Sequence, residues 1–357
     1  MKNLYLTNWL CDYGKGLLSR KAVHTGKGPT HVMFLFVDHF ELAGKTPRLS
    51  EWMQKYPYLV SKHRDSDGKP PQHTWFYALD LLREDELQQL QYLVDAGLGE
   101  MELHWHHSHD TPDSYMYKLQ KGLEVFQKYG FMKPVANDKF ACFGFIHGNW
   151  SLNNARGKAY CGVDSEIELL KAAGCYGDFT YPALHSKAQP NLINSIYYAD
   201  FTPGTAGYFN GRKSQVGVIE AQNEFLMVGG PLTINWRDWR FAWHPMIENA
   251  EIGKSGSHGD PVRIDSWVQQ RIQVQGKPEW IFVKAFCHGG QDHQHVLGAA
   301  TDYMFTYLEA AYNDGVNCKL HYVTAREAYN IIKAAEEGKE GDPNQYRDYC
   351  IPPSNMR

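Results

Sequence analysis

The chain has 357 residues, 43% of them hydrophobic and 21% charged, with a formal net charge of −4. That length can bury a substantial core as one large or two modest domains without staples, and no stretch approaches the roughly 18 consecutive apolar residues of a membrane span. The slight acidity gives no general attraction for nucleic acid or an anionic membrane surface.

Residues 1–30 read as a polar extension packed on the main domain. The segment MKNLYLTNWLCDYGKGLLSRK is broken by Cys11 and Asp12 and lacks the continuous apolar core of a secretory signal, so a cytoplasmic protein is expected. The run His31 to Val37 reads as a strand that ends at Asp38-His39-Phe40-Glu41. After the polar segment Arg64 to Gln72 come a second strand, His73 to Tyr77, and a helix, Arg83 to Ala96, with Leu87, Leu90 and Leu93 at helical spacing. Gly97-Leu98-Gly99 stops that helix. The strand Met101 to Trp105 then runs into His106-His107-Ser108-His109-Asp110.

A helix over Ser114 to Lys128 precedes the strand Phe140 to Ile146, which ends at His147-Gly148-Asn149-Trp150. Asp164 to Ala173 reads as a helix, and Tyr176 to Tyr181, Ser195 to Ala199 and Phe225 to Gly229 as strands. The Trp- and Arg-rich stretch Asn235 to Trp243 follows neither period. Helix Ser266 to Val274, strand Trp280 to Phe286 ending at Cys287-His288-Gly289-Gly290, helix Ala300 to Asn313, strand Lys319 to Val323 and helix Ala325 to Glu336 follow. The expected organisation is one domain over 31–335, with 336–357 as a C-terminal tail on the surface or partly mobile.

This alternation predicts a parallel α/β architecture. Strands that stop at His, Asp or Asn favour a (β/α) barrel with its site at the strands' C-terminal ends. Neither G-x-G-x-x-G nor G-x-x-x-x-G-K-[ST] follows the first strand, so nucleotide binding has no anchor. Seven dispersed cysteines without a C-x-x-C pair read as free or buried thiols. Aromatic residues make up 14% of the chain, and while most serve the core, their faces also suit sugar rings.

Four imidazoles and a carboxylate stand within the seven residues His104 to Asp110. His104 and His106 face the same way on a strand, and a turn beyond it can return His109 or Asp110 to the same point. Such clustering favours a metal site over an exposed polar strand end. Asp38 and His39, being adjacent, enter one site only if the strand ends there and the chain turns. His288 is a third strand-end imidazole, and Gly289-Gly290 permits a sharp turn or close approach.

The succession Asp38-His39, Thr74-Trp75-Phe76, a helix and then Gly99 to His104 resembles the NodB-homology polysaccharide deacetylases, with Phe286-Cys287-His288 in the position of that family's Leu-x-His motif. The resemblance spans most of residues 31 to 290. Phe145 to Trp150, Gly162 to Glu166 and His321 to Glu327 look like a branch associated with bacterial surface-polysaccharide gene clusters. Three departures stand out: His39 replaces the second Asp of the family pair, Ser108 falls where H-x-x-x-H requires its second histidine, and His147 to Trp150 replaces an Arg-Pro motif.

The resemblance implies a distorted seven-stranded NodB-like barrel that removes an N-acyl group from an amino sugar or polysaccharide. A divalent metal, zinc by the number of imidazoles, would be held by His39 and two of His104, His106 and His109, with Asp38 as general base and His288 as the acid for the leaving amine. His147, Asn149, Trp150, Trp236 and Arg237 are expected to recognise the carbohydrate, although the Trp/Arg group also fits a surface cation-π cluster. Glu41, Lys284 and Asp178 are expected in supporting contacts. A glycoside hydrolase with two carboxylates, or a carbohydrate-binding barrel without catalysis, are the alternatives.

Overall fold

A computed structural model describes residues 5–19, 28–135, 140–201, 208–237, 245–253 and 259–354. The strands are β1 (Thr30–Phe40), β2 (His73–Ala78), β3 (Gly99–Trp105), β4 (Phe143–His147), β5 (Cys175–Asp178), β6 (Ile196–Asp200), β7 (Gly211–Lys213), β8 (Glu224–Val228), β9 (Thr233–Asn235), β10 (Met246–Glu248), β11 (Glu251–Ile252), β12 (Trp280–Cys287) and β13 (Cys318–Tyr322). Eleven of them form one sheet in the order β11-β12-β1-β2-β3-β4-β5-β8-β6-β7, with β13 beside β1. The pairings from β11 to β8 are parallel, whereas β6 pairs antiparallel with both β8 and β7, so β6 alone runs against the rest of the path.

The fold is therefore a mixed α/β architecture built on a large, mostly parallel sheet. The expectation of a seven-stranded barrel is corrected in strand number, and among the described residues the pairing is an open path from β11 to β7. β1 is the hub. β12 lies along it from His31 to Asp38, whereas β13 takes its first half, Thr30 to Phe34, and β2 its second, Phe36 to Phe40. All eleven of its residues are buried, which explains the nearly continuous apolar run.

Side chains alternate between two layers. Phe34, Phe36 and Phe40 of β1, Trp75 and Tyr77 of β2, and Leu103 and Trp105 of β3 point to a helix-covered layer with Trp52, Leu90, Leu119 and Ile167. Met33, Leu35 and Val37, with Phe76, Ile146 and Phe282, point to the opposite layer, where the helix Ala325–Glu336 contributes Ala328, Ile331 and Ile332.

Three helices were not anticipated, one of them the single turn His293–Val296. Leu6–Ser19 buries Trp9 and Tyr13 against Ile193 and Leu232. Thr46–Ser61 buries Leu49, Trp52 and Tyr56; Pro47 suits its first turn, but Pro57 interrupts its apparent helical propensity. The helix expected at Ser266 to Val274 occupies Pro261–Val268, because Asp260 accepts from the Arg263 N–H as an N-cap and Pro261 fits the first turn.

Residues 238–244 of the Trp/Arg-rich stretch, including Trp239 and Arg240, lie outside the described residues. The end of the chain is pinned: Arg347 contacts Asp65, Asp67 and Glu327, and Asn330 donates to the carbonyls of Arg347 and Ile351. Among the described residues no helix is long and apolar enough to cross a membrane.

Candidate active site

Strand parity sorts the chemistry-bearing residues. His39 shares the layer of Leu35 and Val37, His104 that of Ile146, and His288 continues the side of Phe282 and Phe286. Their rings meet at the C-terminal ends of β1, β3 and β12, with centroids 5.0 Å apart for His39 and His104 and 4.8 Å for His39 and His288. His106, one pleat beyond His104, stacks edge-on with it at 4.6 Å.

Glu41 completes this group. Its Oε1 lies 3.1 Å from Nε2 of His104 and 3.3 Å from Nε2 of His106, while its Oε2 accepts from Gln291 at 2.6 Å. The far side of each ring is already engaged: Nδ1 of His104 donates to the Ile146 carbonyl at 3.1 Å, and Nδ1 of His106 donates to Asp80 at 3.2 Å. Hydrogen on both Nδ1 atoms leaves two Nε2 lone pairs aimed at a carboxylate oxygen, an arrangement that repels unless a cation stands between them.

The three donors lie within 4.8 Å of one another, and two metal bonds of about 2.1 Å at a tetrahedral angle would separate their donors by about 3.4 Å. The group therefore fits a divalent metal. Without one a proton takes the place: although burial opposes it, Asp80 and Glu41 push the His106 imidazole up to about 9. Burial would also raise Glu41, but its bonds to His104 and His106 hold the carboxyl well below its ordinary range. His39 is held well below the usual histidine value by burial, and then by His288 and His104, and is a neutral ring.

Several expected members are elsewhere. Asp38 was expected as a general base facing the site, but β1 continues to Phe40, so alternation is unbroken and Asp38 projects into the helix-covered layer. There it is wholly buried, accepting from the Gly289 N–H at 2.6 Å and from His73 Nε2 at 2.9 Å. Gly289 is required by this approach, since a Cβ there would lie 2.1 Å from Asp38 Oδ2. His109 is exposed in the following loop with φ of +56°, away from the strand-end rings.

The expected carbohydrate-binding residues are also differently disposed. His147 is fully buried in the helix-covered layer, and Trp150 packs against the same apolar cluster. Asn149 donates its side-chain N–H groups to the carbonyls of His107 and Tyr160. Trp236, 59% exposed, and Arg237 follow β9, which belongs to a separate two-stranded sheet. Lys284 and Asp178 lie deeper: Lys284 donates to the carbonyls of Phe179 and Tyr181, Asp178 accepts from Thr180, and burial lowers the lysine and raises the acid.

Glu41 was anticipated as a supporting contact, or as a carboxylate of the glycoside-hydrolase alternative, but not as a ligand, and Asp80 was missed. Glu41 stands two residues after His39 on the same parity, a signal the sequence did carry; Asp80 follows β2 in a short turn, where no periodicity marks it. Gly148 packs so closely on His106 that a Cβ would lie 2.3 Å from the ring.

No family model matches the chain, and no curated protein matches it. Five solved chains match. One is the 4-alpha-glucanotransferase from Thermococcus litoralis, at 9% identity and a TM-score of 0.46, over 82% of this chain and 39% of the other. The chain thus spans well under half the length of that protein.

Proposed function

We propose that the chain is a metal-dependent hydrolase that removes an N-acyl group from an amino sugar. The observation that carries this reading is the convergence of His104 Nε2, His106 Nε2 and Glu41 Oε1, with both Nδ1 atoms held by acceptors. Two imidazoles and a carboxylate are the donor set of an open catalytic zinc site, and zinc bound there would polarise an acyl oxygen and acidify water.

The chain's own residues then have separable tasks. Asp80 and the Ile146 carbonyl fix ring orientation, and Gln291 holds the second oxygen of Glu41. Neutral, buried His39 walls the site between His104 and His288. Half-buried His288 is the proton-transfer group, taking a proton from water and giving it to the leaving amine. Asp38 acts only through position, anchoring the backbone next to His288 by way of Gly289.

The amino-sugar substrate rests on the motif order shared with the NodB-homology deacetylases. Glycoside cleavage would require one carboxyl to remain protonated as an acid. Glu41 and Asp80, the carboxylates bonded to the site's imidazoles, are both lowered by these rings against the effect of burial and are held as anions.

The test combines elemental analysis of the purified chain with release of acetate from N-acetylated amino sugars and their oligomers. The expected result is metal-dependent release that His106→Ala lowers by roughly 10³-fold, with loss of one equivalent of metal. Glycosidic cleavage that persists in His106→Ala would overturn the reading.

A further inference from the structure

The second half of the histidine cluster has no part in the site above. His107, one residue beyond His106, points into the opposite layer, where it meets His147 from the end of β4, Cys161 from the long loop after β4, and Glu166 from the start of the helix Glu166–Ala173. All four are buried, and one ligand atom from each falls within 4.8 Å of the others.

We infer that His107, His147, Cys161 and Glu166 form a second, closed site for a single zinc-like divalent cation. The distances suit such an ion. Glu166 Oε1 lies 2.8 Å from His107 Nε2 and 3.6 Å from His147 Nε2, and Glu166 Oε2 lies 3.6 Å from Cys161 Sγ. Ligand bonds of about 2.0 to 2.3 Å at tetrahedral angles separate donors by about 3.3 to 3.7 Å, so of these three contacts the one between Glu166 and His107 is tighter than a loaded site requires.

Asp110 Oδ2 stands 3.2 Å from the remote Nδ1 of His107 and is itself anchored through Oδ1 by Ser114 and Lys118, the carboxylate-histidine arrangement that orients a ligand ring. Independently, Nε2 of His147 is buried without a hydrogen-bond partner and aimed into the group. Leaving such an atom unpaired costs free energy, and in the other tautomer of the ring the same nitrogen presents a lone pair to a cation.

A proton competes for the same place. His107 between Asp110 and Glu166 is an imidazolium when no metal is bound, and the Asn149 N–H reaches Nδ1 of His147 at 3.1 Å. Coordination through Nε2 needs that nitrogen to give up its hydrogen to Nδ1, so the Asn149 contact opens on loading. The thiol proton of Cys161 leaves to solvent at the same step. The group binds the loop carrying Gly148, which presses on His106, and its expected role is to hold that side of the mouth in shape.

The test loads the metal-free full chain with Co²⁺ or Zn²⁺ alone. A thiolate-to-cobalt charge-transfer band is expected in the wild type. Cys161→Ser should remove the band and one equivalent of metal, while His106→Ala should keep both the band and this equivalent. One equivalent with the band supports the second site even if the mouth holds no metal, which separates its fate from that of the hydrolase reading. Absence of the band from folded, cobalt-saturated wild type overturns the inference, as does a band that survives in Cys161→Ser.

Discussion

His106 and His107 are neighbours in the chain and belong to two different chemical environments. His106 stands half-buried at a mouth with Glu41 and His104, its far nitrogen tied to Asp80. His107 is sealed among His147, Cys161 and Glu166, its far nitrogen beside Asp110. Both rings follow the same rule, a carboxylate at each nitrogen. They differ in access, and access separates a centre that must admit substrate from one that only holds structure.

The sharpest way to break this comparison is to remove one ring at a time. His106→Ala is expected to lower acyl release by roughly 10³-fold, measured on an N-acetylated amino sugar, with the folded state largely kept. His107→Ala takes from buried Glu166 its imidazole partner at 2.8 Å and one contact from Asp110, which keeps Lys118 and Ser114, and should cost about 3–5 kcal/mol in urea unfolding. Equal stability losses in the two variants would erase the distinction.

The supporting contacts give smaller effects. Asp80→Ala should weaken metal binding at the mouth by roughly 10–100-fold in a competition titration, leaving the thiolate-containing group unchanged. Graded chelation should strip the mouth before the sealed group, and the reverse order would contradict their assigned accessibilities. Asp38→Asn offers Nδ2 where His73 needs an acceptor and is expected to cost about 1–3 kcal/mol of stability. Its activity should fall through kcat with little change in KM, whereas loss as large as that of His106→Ala would restore Asp38 as a base.

Much of the sheet was legible because buried parallel strands leave apolar runs and their ends leave polar residues. β1, β2, β3 and β12 each showed this signature. Thr46–Ser61 was hidden because Pro57 interrupts a helix whose stability rests on packing Trp52 and Tyr56. Cys161 looked like an ordinary buried thiol because its partners are supplied by β3, β4 and a helix start, at separations no motif spacing records.

The sequence alone determined that imidazoles collect at strand ends and, through the period of two, that consecutive ones must part. It could not say where β1 stops, and that decided Asp38: two further strand residues keep it in the helix-covered layer and put His39 opposite. Nor could it bring Glu41 to His104 or Cys161 to His107. Those meetings depend on which strands lie adjacent and on how the loops beyond them fold back, and adjacency is fixed by the packing of whole layers.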